Sequence, residues 1–360
     1  MRVMIAGGGT GGHVIPALAI AGAVKSAYAA DICFIGTARG METRLVPQAG
    51  YALELIDVGQ LNRVSLATKL KTLVALPRGI LHCLGLLRRW RPDVVVGVGG
   101  YASGPAMLAA LIRRVPTLAF EPNAVPGMAN RLIGKRISAA AVNFAPTRAY
   151  FRNAELTGIP VRAEFFALAA RPRQSPPRLL VMGGSQGARA LNQKMPQIAK
   201  ALLEAVPGLT ILHQAGARHA ETTAAAYAAS GAPADRWCVQ AFLEDMPTQF
   251  AASDLILARS GASTVAELAA SGKPSLLVPF PQAADDHQRK NAEVLVEGGA
   301  ASMLLEQDMT DAGLLGALTG LLRDPAKLRE MAIRARTFAY PQAAARIAAM
   351  VASLAPSSTH

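Results

Sequence analysis

Four short stretches join glycine to small hydroxyl residues in the manner of anion-gripping turns. They are Gly7-Gly8-Gly9-Thr10-Gly11-Gly12-His13, Gly97-Val98-Gly99-Gly100-Tyr101-Ala102-Ser103-Gly104-Pro105, Gly183-Gly184-Ser185-Gln186-Gly187-Ala188-Arg189 and Arg259-Ser260-Gly261-Ala262-Ser263-Thr264-Val265-Ala266-Glu267. Each follows an apolar run and leads into helical patterning, which turns unpaired backbone N–H groups toward a phosphate. A single loop of this kind also arises from close packing alone. Three at strand ends, with the fourth stretch behind them, point to phosphate. In the fourth, Ser263, Thr264 and the glycine suit a diphosphate, while Glu267 is placed to accept hydrogen bonds from two ribose hydroxyls. The local alternative makes Ser263 or Thr264 an N-cap and Glu267 its capping-box partner.

The elements around these loops repeat a rhythm. Apolar runs at 3–6, 32–35, 94–98 and 117–120 alternate with helical stretches, and a second series begins at 179–182 and continues at 209–213, 237–240, 255–258 and 275–278. Continuously apolar strands between helices indicate parallel sheets covered on both faces. The expectation is an α/β chain of two doubly wound domains facing each other across a cleft, 1–159 and 160–339, with a helix at 340–355 crossing back to the first and a disordered tail at 356–360. The stretch from Thr157 to Arg178 reads as hinge and linker, and the helix after the first glycine loop is expected to open near Pro16.

At 360 residues, 51% of them hydrophobic and 17% charged, the chain has ample material for two cores. Its 37 Lys and Arg against 24 Asp and Glu give +13, so anionic partners are expected. Aromatics make up only 5%, and no nucleic-acid module is evident, which ranks phosphates and acidic lipid above nucleic acid. Cys33, Cys83 and Cys238 are far apart and read as buried, reduced thiols. No signal peptide or bilayer-spanning run is apparent, so a cytoplasmic, soluble or peripheral protein is expected. The first loop also matches GxGxxG, yet the second strand ends in Gly36-Thr37-Ala38-Arg39 with no acid to hold a ribose; Arg39 keeps an NADP version open.

The ordered set GGTGGH at 8–13, GGYASGP at 99–105, EPN at 121–123, GGSQGAR at 183–189, RSGASTVAE at 259–267 and DDHQ at 285–288 resembles the MurG family of cell-wall N-acetylglucosaminyltransferases over nearly the whole chain. These are inverting glycosyltransferases of family 28, with the two-Rossmann-domain GT-B fold. The resemblance implies UDP-N-acetylglucosamine as donor and lipid I, the undecaprenyl-diphosphate-linked N-acetylmuramyl peptide, as acceptor. It carries donor contacts onto Thr10, Gly11, Gly12, Asn123, Arg162, Ser185, Leu243, Ala262, Ser263, Thr264, Val265, Ala266, Glu267 and Gln288. Leu243 replaces the isoleucine more usual in relatives, a small change where the backbone reads the uracil. Residues 280–285 depart from the family in length and type.

Inversion by single displacement needs a base for the acceptor hydroxyl and a stabilised leaving group. His13 is the first candidate for the base, with capping or a carbonyl contact as its alternative roles; Glu121, beside Asn123, competes with it. Tyr101 either orients the acceptor or packs. Arg162, after the hinge proline, either clamps the diphosphate or makes a surface ion pair. No DxD pair is present, and Asp285, Asp286 and His287 read as a polar loop, so metal-independent chemistry without a cofactor is expected.

Residues 58–92 contain no acid but carry Arg63, Lys69, Lys71, Arg78, Arg88, Arg89 and Arg91 among aliphatics. Pro77 is expected to divide this segment into two helices. The first stripe, Leu70, Leu73, Val74, Leu76 and Ile80 with Lys69, Lys71 and Arg78, is the candidate membrane patch; the second, Ile80, Leu81, Leu84 and Leu87, is expected to pack on the sheet. The expected setting is peripheral, on the cytoplasmic face of the bacterial inner membrane, among other cell-wall and division proteins. A UDP-N-acetylglucosamine 2-epimerase, an NADP-linked oxidoreductase and a non-catalytic nucleotide-sugar sensor are the competing functions.

Overall fold

The computed structural model describes residues 1–57, 66–168, 176–184 and 187–356, with 66–75 described by backbone alone. Ser185, the linker residues 171–175, Arg63 and the tail residues 357–360 therefore lie outside the described residues, as do the side chains of Lys69, Leu70, Lys71, Leu73 and Val74. Two compact units are present, Met1–Pro160 with Gln342–His360, and Val161–Pro341.

The first unit runs β1 (Arg2–Ala6), α1 (Gly11–Tyr28), β2 (Asp31–Gly36), α2 (Glu42–Gln48), β3 (Ala52–Leu55), α3 (Leu66–Trp90), β4 (Val94–Gly97), α4 (Ser103–Ile112), β5 (Thr117–Glu121), α5 (Met128–Ile133), β6 (Ala139–Val142) and β7 (Ala154–Leu156). Its sheet has the order β3-β2-β1-β4-β5-β6-β7, parallel throughout. The central strands are wholly buried because helices cover both faces.

The second unit continues with α6 (Ala163–Phe166), β8 (Arg178–Met182), α7 (Arg189–Ala205), β9 (Thr210–Gln214), α8 (Ala220–Ala229), β10 (Trp237–Gln240), α9 (Met246–Ala252), β11 (Leu255–Ala258), α10 (Ala262–Ser271), β12 (Ser275–Leu277), α11 (His287–Glu297), β13 (Ala301–Met303), α12 (Asp311–Leu322) and α13 (Pro325–Arg336). Its sheet is also parallel, in the order β10-β9-β8-β11-β12-β13. The final helix, α14 (Ala343–Leu354), belongs to the first unit. There it packs along α1, burying Ile347 and Val351, and Arg346 pairs with Glu155 of β7.

Both sheets reverse winding direction at one place: β1 lies between β2 and β4, and β8 lies between β9 and β11. Ligands of open α/β sheets sit beyond the carboxyl ends of the strands flanking such a reversal. All four glycine-bearing stretches emerge from those strands, β1, β4, β8 and β11.

Five sequence expectations fail locally. α1 opens at Gly11, five residues before Pro16, which sits inside the helix at the position whose missing N–H would have met the Gly12 carbonyl. Pro77 does not divide the basic segment; α3 is one helix of 25 residues through it. One lost hydrogen bond is tolerated there because the later turns are anchored: Cys83, Leu86 and Leu87 are buried in the core, flanked by Ile80 and Leu84. Leu81, assigned to that packed stripe, is instead 66% exposed, since it lies about 100° around the helix from Ile80. Ile80 itself packs on the core, which removes it from an exposed patch. Cys238 is exposed, because β10 is an edge strand and its alternate residues face outward.

Candidate functional site

In the first unit the loops after β1 and β4 meet backbone to backbone. A Cβ added at Gly100 would lie 2.2 Å from the Gly8 carbonyl oxygen, and one at Gly7 would lie 2.5 Å from that of Gly99. Gly99 and Gly100 also have φ of +89° and +80°, which only glycine adopts readily. Thr10 is the N-cap of α1 in extended conformation, so Gly11, Gly12 and His13 form the first helical turn.

His13 leans over the second loop: a Cβ at Gly99 would be 2.7 Å from the imidazole Cε1. Its Nδ1 is 2.9 Å from the Val98 carbonyl oxygen. A carbonyl only accepts, so Nδ1 carries a proton and the lone pair of the neutral ring lies on Nε2. Tyr101 is 37% exposed in the turn leading to α4.

Glu121 ends β5 and is buried. One oxygen accepts from the Asn123 backbone N–H at 3.1 Å and from its side-chain Nδ2 at 3.3 Å; the other accepts from Gly127 N–H at 3.1 Å and Asn130 Nδ2 at 2.9 Å. Burial nevertheless raises its carboxyl above the ordinary range, against the opposing pull of those donors. The carboxylate thereby fixes how Asn123 is presented.

In the second unit the loop after β8 is folded tightly on itself and on β9. A Cβ at Gly187 would lie 2.0 Å from the Ala215 carbonyl oxygen, which also accepts from Asn192 Nδ2 at 2.9 Å. Asn192 Oδ1 in turn is 3.0 Å from His213 Nε2, and His213 Nδ1 is 3.1 Å from the Tyr227 hydroxyl. Burial pushes the His213 imidazole down to about 3, so this histidine is a neutral brace beneath the loop.

α10 starts from Gly261 with no side-chain cap, which places Ala262, Ser263 and Thr264 in its first turn and Glu267 in its second. The capping-box alternative is therefore not realised. Glu267 is partly buried, its carboxylate accepts no hydrogen bond among the described residues, and burial pushes its pKa up to about 7, against the lowering charge of Arg162. Arg162 is the exposed N-cap of α6, its guanidinium 5.2 Å above the ring of Phe165. Leu243 is buried in the loop between β10 and α9. Gln288 accepts the Phe280 N–H through Oε1 at 3.0 Å, and the Ser260 hydroxyl donates to its carbonyl oxygen at 2.8 Å.

The structure thus gathers Thr10, Gly11, Gly12, His13 and Tyr101 at the first winding reversal, with Glu121 at the end of the next strand, β5, and Asn123 in the loop that follows it. Ala262 to Glu267 gather at the second, with Gln288 joined to that loop through Ser260. Two residues of consequence were given no role of their own from the sequence. Glu42 turns its carboxylate onto the first glycine loop from 33 residues away. Arg259 donates to the carbonyl oxygens of Val278 and Pro279 and pairs with Glu306, tying the α10 start to the chain that leads to Gln288. Glu42 has no local signature, and Arg259, although it heads the fourth stretch, finds its partners 19 to 47 positions away.

Among the described residues no three His, Cys, Asp or Glu side chains converge as metal ligands. Asp286 pairs with Arg289, and His287 Nδ1 lies 2.7 Å from the Ala284 carbonyl oxygen. No described helix is long and apolar enough to cross a membrane.

The glycosyltransferase family 28 N-terminal domain matches residues 3–142 and the family 28 C-terminal domain matches residues 178–347. The chain is 45% identical over 353 residues to the UDP-N-acetylglucosamine--N-acetylmuramyl-(pentapeptide) pyrophosphoryl-undecaprenol N-acetylglucosamine transferase of Anaeromyxobacter dehalogenans (strain 2CP-1 / ATCC BAA-258), covering 97% of this chain and 91% of that protein. The crystal structure of Acinetobacter baumannii MurG superposes with a TM-score of 0.80 at 33% identity, over 98% of this chain and 99% of that one. A putative UDP-N-acetylglucosamine 2-epimerase from Listeria monocytogenes reaches 0.70 at 16% identity, over 98% and 96%, a likeness of fold alone.

Proposed function

The chain belongs to glycosyltransferase family 28, and from that membership we propose that it moves N-acetylglucosamine from UDP-N-acetylglucosamine to the C4 hydroxyl of lipid I, with inversion, forming the β-1,4 linkage of lipid II in peptidoglycan biosynthesis. The observation that carries the reading is the 45% identity across 97% of the chain, with the family's motifs standing at both winding reversals.

The chemistry follows from the side chains. The acceptor hydroxyl attacks the anomeric carbon while the bond to the UDP oxygen breaks, and His13 Nε2 takes the hydroxyl proton. The Val98 carbonyl holds the tautomer that makes this possible. Charge appearing on the departing diphosphate is met by Arg162 and by the first-turn N–H groups of α10. Glu267 accepts the ribose hydroxyls, and the Leu243 backbone reads the uracil. Gln288 offers its amide NH₂, since its Oε1 already accepts from Phe280. With four donors on its carboxylate, Glu121 serves to hold Asn123 rather than to shuttle a proton. Tyr101 orients the acceptor. Positive charge supplied in this way makes the transfer metal-independent.

The basic α3 segment supports peripheral binding to the cytoplasmic face of the plasma membrane, where the acceptor resides and other cell-wall and division proteins assemble. Arg78 is exposed on it. Salt-sensitive pelleting with anionic vesicles is expected; equal binding to neutral vesicles would remove the electrostatic element.

The deciding experiment supplies UDP-N-acetylglucosamine with and without a short-chain lipid I analogue. UDP release that requires the acceptor is expected, whereas epimer formation without it would make the chain an epimerase.

A further inference from the structure

Glu42 opens α2 and is 1% exposed, yet no step of the transfer employs it. Its Oε2 accepts the Gly9 N–H at 2.7 Å, and its Oε1 accepts the N–H and the hydroxyl of Thr37, both at 2.9 Å. Three separate glycines make room for this one side chain. A Cβ at Gly8 would come within 2.3 Å of the carboxyl carbon, one at Gly36 within 2.5 Å of Cγ, and one at Gly40 within 1.9 Å of Oε2. The spacing of glycines in 8–40 is thus explained by a carboxylate seated behind the loop as much as by a phosphate in front of it.

The placement has a direct effect on the loop. Gly9 is the last residue before the N-cap of α1, has φ of +94°, and would meet nothing within 4 Å of an added Cβ, so side-chain packing does not hold it. Two hydrogen bonds do: its N–H donates to Glu42, and its carbonyl oxygen accepts the Met41 N–H at 3.3 Å, so the start of α2 grips Gly9 through both of its backbone groups. On the other side, the loop after β4 presses on Gly7 and Gly8. Between these two supports the chain enters α1, which sets where the N–H groups of Gly11 and Gly12 and the imidazole of His13 stand.

We propose that Glu42 is a positioning residue of the transferase, holding the first glycine loop in the conformation that sets the Gly11 and Gly12 N–H groups and aims His13. The proposal rests on the transfer reading above. It involves no contact between Glu42 and substrate; the carboxylate acts through Gly9.

The test uses the full-length chain and Glu42→Gln, which keeps the shape but sets an NH₂ or a single oxygen against three donors. Expected is a fall of at least tenfold in kcat/KM for a short-chain lipid I analogue, carried by kcat rather than by KM because His13 is no longer aimed. Faster amide hydrogen exchange should be confined to residues 7–13, with β1 and β2 unchanged. Unaltered acceptor kinetics, or faster exchange spread equally over β1 and β2, would overturn the proposal. A second pair guards against a simple folding defect. Gly40→Ala should reproduce the acceptor defect, and added to Glu42→Ala should make it less than twofold worse, because the atoms it strikes are gone; independent, multiplying losses would refute the arrangement. If the wild-type chain releases no UDP with acceptor, the transfer reading fails, while the exchange at residues 7–13 still decides whether Glu42 holds the loop.

Discussion

The two winding reversals share a topology and treat their carboxylates in opposite ways. At the first, Glu42 and Glu121 accept hydrogen bonds from three and four donors respectively, all from the protein itself. At the second, Glu267 accepts none among the described residues and is pushed up to about 7 by burial, with Arg162 as the opposing charge. A buried carboxylate whose donors are all supplied by its own fold is a strut. One left with a desolvation cost and no donors is a receptor for donors brought by a ligand. The first unit is braced in advance, and on the proposed reading the second is completed by its nucleotide.

Breaking the comparison begins with the largest effect. His13→Ala should lower kcat by about 10²-fold or more while UDP-N-acetylglucosamine binding, measured by calorimetry, is retained. Normal turnover would take the proton-accepting role away from the braced side altogether. Next comes Glu267→Gln, expected to weaken donor binding by about tenfold at pH 8, as charge-assisted bonds to the ribose are lost. Wild-type affinity should also decline as pH falls through about 7, whereas the variant's stays level. The stability sign runs the other way. Because the folded carboxyl titrates above its ordinary value, the free protein is most stable below that ordinary value and loses stability as pH rises to about 7, so Glu267→Gln should raise Tm at pH 8 and leave it unchanged near pH 4.5.

A smaller effect separates strut from receptor. Glu121→Gln puts an amide against four donors and should lower stability by about 1–3 kcal/mol in urea unfolding, with a lesser effect on turnover of the folded fraction. A stability loss from Glu267→Gln equal to it at neutral pH would erase the distinction. The smallest effect is none: if Arg162 and α10 supply the charge on the donor side as proposed, saturating EDTA should leave turnover unaltered.

The sequence made the two α/β units and their four glycine-bearing loops readable because strand, turn and helix start are local patterns, and the glycines fall where those patterns change. It misled where long-range packing overrides a local signal. Pro77 sits within α3 because the turns after it are buried on the sheet, and Leu81 points to solvent although an aliphatic count placed it inside. Cys238 is exposed because β10 is an edge strand, and neighbour order is invisible in a single sequence. His13 and His213 are alike as letters; only their surroundings make one a candidate base and the other a neutral brace. Glu42 was unreadable because its partner Gly9 is 33 positions away.

The return of α14 to the first unit has a consequence for how the chain is made. The second unit is an insertion, and α14, the cover for α1, is synthesised only after all of it. Until then the flank of α1 that meets Ile347 and Val351 has no covering partner, although every strand of that sheet has already been synthesised. The first unit therefore cannot complete its packing until the second has been synthesised, and a chain stalled before residue 343 would present an apolar seam to chaperones and proteases.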